Sequence, residues 1–247
     1  MSRFFYRIIR ALVWLFYPRI TVSGTENLPE EPVILVGNHC QMNGPIAAEL
    51  YAPRPRYTWC ASEMMELHEV AEYAYQDFWI NKPRWIRWFY RLLSYIIPPL
   101  SVCVFTNACT IPVYRDLRIT KTFRQTIERL SEGADVVIFP EKEEPYNRII
   151  YAFQDHFIDV ARLYWKRTGK AVSFVPFYLA PALKTMVLGT CVTFDPSVPI
   201  EEERARICRL LMEQITDMAE ALPPHRVVPY PNLPKREYPS SREESPS

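Results

Sequence analysis

The most regular apolar runs are short and bounded by turn residues. Val33-Ile34-Leu35-Val36 breaks at Gly37 into Asn38 and His39 and then Gly44-Pro45. This pattern predicts a buried strand ending in a turn, with a histidine at the strand's carboxyl end. Asp135-Val-Val-Ile-Phe139, Ala171–Ala180 and Met186–Phe194 read as further strands, and Thr110–Tyr114 as a short one. Residues 57–61 form another short apolar run.

Helical periodicity lies between these runs. It predicts helices over 116–132, stopped by Gly133, over 147–168, closed by Gly169, and over 201–221, opened by Glu201, Glu202 and Glu203. Residues 62–76 are also helix-like. Helical segments alternating with short apolar strands predict an α/β fold, a mixed central sheet flanked by helices in a sandwich.

Two segments carry a different pattern. In 3–17, RFFYRIIRALVWLFY, Arg3, Arg7 and Arg10 share one helical face and aromatic and aliphatic residues cover the rest. In 84–97, RWIRWFYRLLSYII, Arg84, Arg87 and Arg91 do the same beside Trp85 and Trp88, and Pro98-Pro99 ends the segment. A basic stripe beside an aromatic face suits a helix lying in a bilayer interface. Docking on the protein's own core or on a partner protein is the competing reading. The expected organisation is an interfacial amphipathic helix over 1–20, an α/β domain over 21–222 and a tail over 223–247. That tail holds seven prolines in 25 residues, so it is expected to be disordered and largely uncovered.

Composition narrows the function. The 247 residues are 49% hydrophobic, 23% charged and 14% aromatic, with a net charge of +1. This suits a folded globular chain and argues against a general nucleic-acid binder, which carries a large basic excess. The six cysteines form no CxxC pair and no zinc-like spacing, so no metal site is expected. We read them as reduced and the protein as facing the cytoplasm. No stretch reaches the roughly 18 apolar residues of a spanning helix, which leaves a peripheral or monotopic attachment to membrane lipid.

Four short segments place polar residues at strand ends or turns: GNHCQMNGP at 37–45, CTIPVYR at 109–115, VIFPEKEE at 137–144 and FVPFY at 174–178. In open α/β sheets ligands gather beyond the carboxyl ends of strands. Together the four segments resemble the glycerophospholipid acyltransferase family, which includes glycerol-3-phosphate and lysophosphatidic acid acyltransferases. Asn38-His39 matches the start of its Asn-His-(four residues)-Asp motif. Arg115 matches the end of its second motif, Phe139-Pro140-Glu141 the start of its Phe-Pro-Glu-Gly-Thr-Arg motif, and Val175-Pro176 its fourth.

The resemblance implies acyl transfer from acyl-CoA or acyl carrier protein, with no further cofactor. It makes His39 the general base, with Glu141 as the second catalytic residue, orienting the acceptor hydroxyls. Arg115 would clamp a phosphate, and Asn38 and Pro140 would join it in binding substrate. Three positions depart from the pattern. Gly44 stands where the family has Asp, Lys142-Glu143-Glu144 replaces Gly-Thr-Arg, and Cys109 replaces a glycine. Glycine cannot orient an imidazole, so another carboxylate would have to reach His39, with Glu143, Glu144 and Asp155 as candidates. The alternative is a catalytically inactive relative that binds lipid or an acyl carrier at the membrane surface. Acyl length, acceptor and oligomeric state are not encoded legibly.

Overall fold

The computed structural model describes residues 3–79 and 83–242. They form two compact units. One comprises Pro18–Arg56 and Phe123–Ser247, the other Met1–Tyr17 and Tyr57–Thr122. In chain order the helices are α1 (Arg3–Phe16), α2 (Asn43–Tyr51), α3 (Val70–Ala74), α4 (Arg87–Ile96), α5 (Pro98–Asn107), α6 (Ile119–Ser131), α7 (Asp159–Thr168) and α8 (Ile200–Ala221). The strands are β1 (Thr21–Ser23), β2 (Val33–Gly37), β3 (Arg56–Ala61), β4 (Thr110–Val113), β5 (Asp135–Ile138), β6 (Glu141–Pro145), β7 (Tyr151–Phe153), β8 (Ser173–Ala180), β9 (Thr185–Leu188) and β10 (Val192–Thr193).

The first unit is built on the sheet β1-β9-β8-β2-β5, with β10 also on β8. β2 lies parallel between β5 and β8, in the registers Leu35↔Val137 and Leu35↔Val175. β1 is parallel to β9, while β9 and β10 run antiparallel to β8. β2 and β5 are buried along their whole length and β8 from Phe174 onward, which is why they read as continuous apolar runs rather than alternating ones. Leu35, Val137, Phe177 and Met186 line an apolar cleft with Ala48 of α2. On the opposite face Phe157 stacks edge-on against Phe174 and α8 packs along β8. The unit is thus the expected mixed α/β sandwich, mostly parallel.

One buried polar tie locks its first strand. Asp135 accepts from the backbone N–H of Val33 and binds Arg54 through both carboxylate oxygens, at 2.9 Å each.

The second unit pairs β3 and β4 in parallel, and α5 packs on β4. α1 carries no buried residue, leaving Phe4 and Phe16 71% and 81% exposed. In and beside α4, Trp85 and Trp88 are 76% and 70% exposed. No single described helix is long and apolar enough to cross a membrane, but Arg84–Ile96 and Pro98–Asn107, bent by 51°, together reach that length and composition. Pro98-Pro99 does end α4, and it also opens α5, because proline is preorganised for a helix's first turn.

Three expectations need correction. Residues 147–168 are helical only from His156, in a 3-10 turn at His156–Ile158 that leads into α7, because Asn147 turns the chain by accepting from the N–H groups of Ile149 and Ile150. Tyr151–Phe153 then pairs antiparallel with Glu141–Pro145. Residues 62–76 are helical in pieces rather than as one helix: a 3-10 turn at Ser62–Met64, the short α3, and then a π-helical turn at Tyr75–Trp79.

The third correction concerns the tail, which returns to the core at His225, Val227, Pro229 and Ser241 and is exposed over 232–237. Val227 and Ser241 are 1% and 0% exposed, and Val227 N–H donates to Pro239 while Ser241 N–H donates to His225. Residues 243–247 lie outside the described residues.

Candidate functional site

β2 ends at Gly37, where no side chain fits: a Cβ there would meet the Phe177 ring at 2.3 Å. The next residue, Asn38, is 2% exposed, and its amide is hydrogen-bonded on both sides. Oδ1 accepts from Leu179 N–H at 2.8 Å, and Nδ2 donates to Leu179 O at 3.0 Å and to Cys40 Sγ. Asn38 therefore pins the end of β2 to β8. Both amide protons and one of the two acceptor lone pairs are used in this way.

The chain then turns through two left-handed residues, Cys40 at φ 48° and Gln41 at φ 57°. Non-glycine residues rarely adopt this region, and each costs about 1–2 kcal/mol there. The turn is held by Asn43 N–H on Cys40 O and Gly44 N–H on His39 O.

His39 sits on this turn, half-buried. Phe139 and Tyr230 stand edge-on to its ring at 5.2 and 5.6 Å. Its Nδ1 is buried and has no hydrogen-bond partner among the described residues. Burial lowers its pKa from 6.5 to about 4, with the Gln41 backbone pulling weakly the other way. The imidazole is therefore neutral at neutral pH.

Glu141 is 3% exposed and is spent on the backbone. Oε1 accepts from His39 N–H at 2.5 Å and Oε2 from Tyr151 N–H at 3.1 Å. Burial raises its pKa from 4.5 to about 7, while these two hydrogen bonds lower it. Glu141 thus ties the His39 turn to β7 and positions the histidine through its main chain rather than through its ring. Pro140 is buried beside it, its carbonyl accepting from Gln154 N–H.

None of the proposed substitute carboxylates reaches the ring. Glu143 and Glu144 are exposed, with Glu144 paired to Lys142 at 2.8 Å, and Asp155 lies beside His156. Position 44 could not have supplied one either. A Cβ on Gly44 would meet His39 O at 2.5 Å, Asn38 O at 2.8 Å and the Phe139 ring at 2.9 Å. The space that an aspartate would need is filled.

Arg115 belongs to the other unit, where it is 75% exposed and 4.0 Å from Glu63. His39, Glu141, Asn38 and Pro140 are brought together in one place; Arg115 is described only within its own unit.

Sequence reasoning missed the tail's contribution. Tyr230 stands over His39 and tilts against Tyr151 at 6.1 Å. Gln41 Nε2 donates to Pro231 O at 3.2 Å and to Tyr238 Oη at 3.1 Å. The available signal was apolar and aromatic: Val227, Val228, Tyr230 and Tyr238 interrupt an otherwise polar, proline-rich segment.

No protein-family model matches the chain, and no curated protein does. Among solved structures, the chain is similar to the crystal structure of the 1-acyl-sn-glycerophosphate (LPA) acyltransferase PlsC from Thermotoga maritima. The two are 19% identical over 90% of this chain and 79% of that one, with a TM-score of 0.47.

Proposed function

We propose that this chain is an acyltransferase working at a membrane surface, moving an acyl group from acyl-CoA or acyl carrier protein to a hydroxyl of a lysophospholipid, glycerol phosphate or related acceptor. The observation that carries this reading is convergence. His39 at the end of β2, Phe139-Pro140-Glu141 at the end of β5 and Val175-Pro176 in β8 are far apart in sequence and adjacent in one sheet.

In this reading the acceptor oxygen attacks the thioester carbonyl while His39 takes its proton. The C–S bond then breaks, and the thiolate leaves with that proton. Arg115 supplies a guanidinium for an acceptor phosphate. α1 and the Trp85–Trp88 region supply apolar and arginine-bearing surface for the lipid headgroup region, on the cytoplasmic side.

A second reading is favoured by one observation: His39 Nδ1 has no partner among the described residues and Gly44 leaves no room for one. A base without its orienting carboxylate is weak; in the serine-protease case, replacing the orienting Asp by Asn lowers kcat about 10⁴-fold. On that reading the protein binds lipid or an acyl carrier without turnover.

One experiment separates the two. Purified protein on phospholipid vesicles is given acyl-CoA or acyl carrier protein donors, with glycerol-3-phosphate, lysophosphatidic acid and other lysophospholipids as acceptors. Acyl transfer predicts product that falls by about 10²–10⁴-fold in His39→Ala. Vesicle-bound protein that forms no product from any acceptor, in the wild-type chain and in Tyr230→Ala alike, sinks the enzymatic reading.

A further inference from the structure

The C-terminal segment is anchored and held in two different ways. Its neck, 225–227 against 239–241, belongs to the core. His225 N–H donates to Ser241 Oγ, Ser241 N–H to His225 O, and Val227 N–H to Pro239 O. The His225 ring lies between Tyr178 and the Pro223 carbonyl, each at 2.8 Å. The carbonyl can only accept, so Nδ1 carries a proton.

Pro229 is buried with the neck, and beyond it the lip is exposed over residues 232–237. It touches the His39 turn through Tyr230 on the imidazole and through Pro231 and Tyr238 on Gln41. Segments with few buried contacts and half-exposed hydrogen bonds are the ones that open locally without global unfolding. Pro231 and Pro234 restrict the lip's backbone, so it gains less chain entropy on lifting than a flexible loop and moves more as a flap.

The contacts it makes are those of a ligand. Tyr238 Oη stands 3.1 Å from Gln41 Nε2 and 3.3 Å from Oε1, placed to accept from one and donate to the other. A polyol hydroxyl would present the same donor and acceptor pair. Tyr230 meanwhile covers the imidazole such a hydroxyl would have to reach.

We propose that residues 225–241 form a strap that occupies the His39 site in cis, with Tyr238 standing where an acceptor hydroxyl binds Gln41 and Tyr230 closing off the imidazole. Lifting the lip opens the site to a hydroxyl-bearing acceptor while the neck stays in the core. The identity of the acceptor rests on the acyl-transfer reading; the closure does not, because it is read on the imidazole itself. Apart from Phe139, the groups around the turn are Glu141 on the His39 backbone, Cys40, Tyr151 and Tyr230.

The test uses the full chain with ring-15N histidine, its His39 signals assigned by their loss in His39→Gln. Tyr230→Ala removes the cover, and Tyr238→Phe removes only the hydroxyl contacts and keeps the ring. The expected result is that His39, titrating near 4 in the wild-type chain, moves up by about one unit or more in Tyr230→Ala as water reaches the ring. Tyr238→Phe should move it in the same direction by less. Should Tyr230→Ala not fold, Tyr238→Phe decides alone.

Unchanged titration in a folded Tyr238→Phe and Tyr230→Ala, or a wild-type His39 titrating near 6.5, overturns the strap. Acyl-transfer assays on the same variants keep the two ideas apart. Rising turnover supports both, whereas an exposed imidazole with no turnover leaves the strap standing and ends the acyl-transfer reading.

Discussion

His39 and Glu141 are joined by one hydrogen bond, yet their protonation should pull stability in opposite directions over the same pH range. Folding lowers the His39 pKa from 6.5 to about 4. Below 6.5 the unfolded chain gains a proton that the folded one refuses, so this contribution is full above 6.5 and is lost as pH falls towards 4. Folding raises the Glu141 pKa from 4.5 to about 7. Here the folded chain holds the extra proton, so the contribution is full below 4.5 and is lost as pH rises through 7. Each shift spans about two and a half units, or about 3 kcal/mol at 1.36 kcal/mol per unit. In the wild-type chain the two slopes nearly cancel between 4.5 and 6.5, which hides both.

Single substitutions unmask them. His39→Phe keeps an aromatic ring between Phe139 and Tyr230 and keeps the N–H that Glu141 accepts. Its stability relative to wild type should rise by about 3 kcal/mol as pH falls from 6.5 to 4. Glu141→Gln should do the reverse, losing about 3 kcal/mol relative to wild type between pH 7 and 4.5. Urea unfolding followed by far-UV circular dichroism at half-unit pH steps measures both. Taking differences from wild type removes every group the variants share. Two flat difference curves would refute the reasoning, because they would mean that neither group is desolvated as its burial implies.

Two further substitutions probe the turn. Gly44→Asp supplies the aspartate of the motif that Asn38-His39 resembles, but its Cβ falls 2.5 Å from His39 O and 2.9 Å from Phe139. The variant should lose about 1–3 kcal/mol or more of stability, seen as a lower Tm, and gain no acyl transfer; a gain in turnover would contradict the packing. Asn38→Ala strips the Leu179 backbone of both its hydrogen bonds to Asn38. It should cost about 1–3 kcal/mol in chemical denaturation, whereas an unchanged midpoint would show the tie to be dispensable.

The residues differ in how legible they were. β2, β5 and β8 were visible because strands buried on both faces must be continuously apolar, and that is a property of each segment alone. α1 and α4 were visible because arginines three and four apart mark one face of any helix. The hairpin at 141–153 was not: LysGluGlu has no strand preference, and its pairing partner lies beyond a turn that only Asn147 announces.

The site followed the same division. That His39 ends a strand and that a glycine stands five residues later are local facts the chain carries in itself; that the glycine replaces an acid comes only from the resemblance. What became of those residues depends on contacts between distant segments: Asn38 with Leu179 at a separation of 141 residues, His39 with Glu141 at 102, and Gln41 with Tyr238 at 197. Periodicity reports the neighbours a residue has along a helix or strand. It carries no information on which buried carboxylate is used up by a backbone N–H, which space beside a glycine is already filled, or which tyrosine of a proline-rich tail returns to cover a histidine. Only the packed structure decides those, because each is set by the competition of separate segments for one volume.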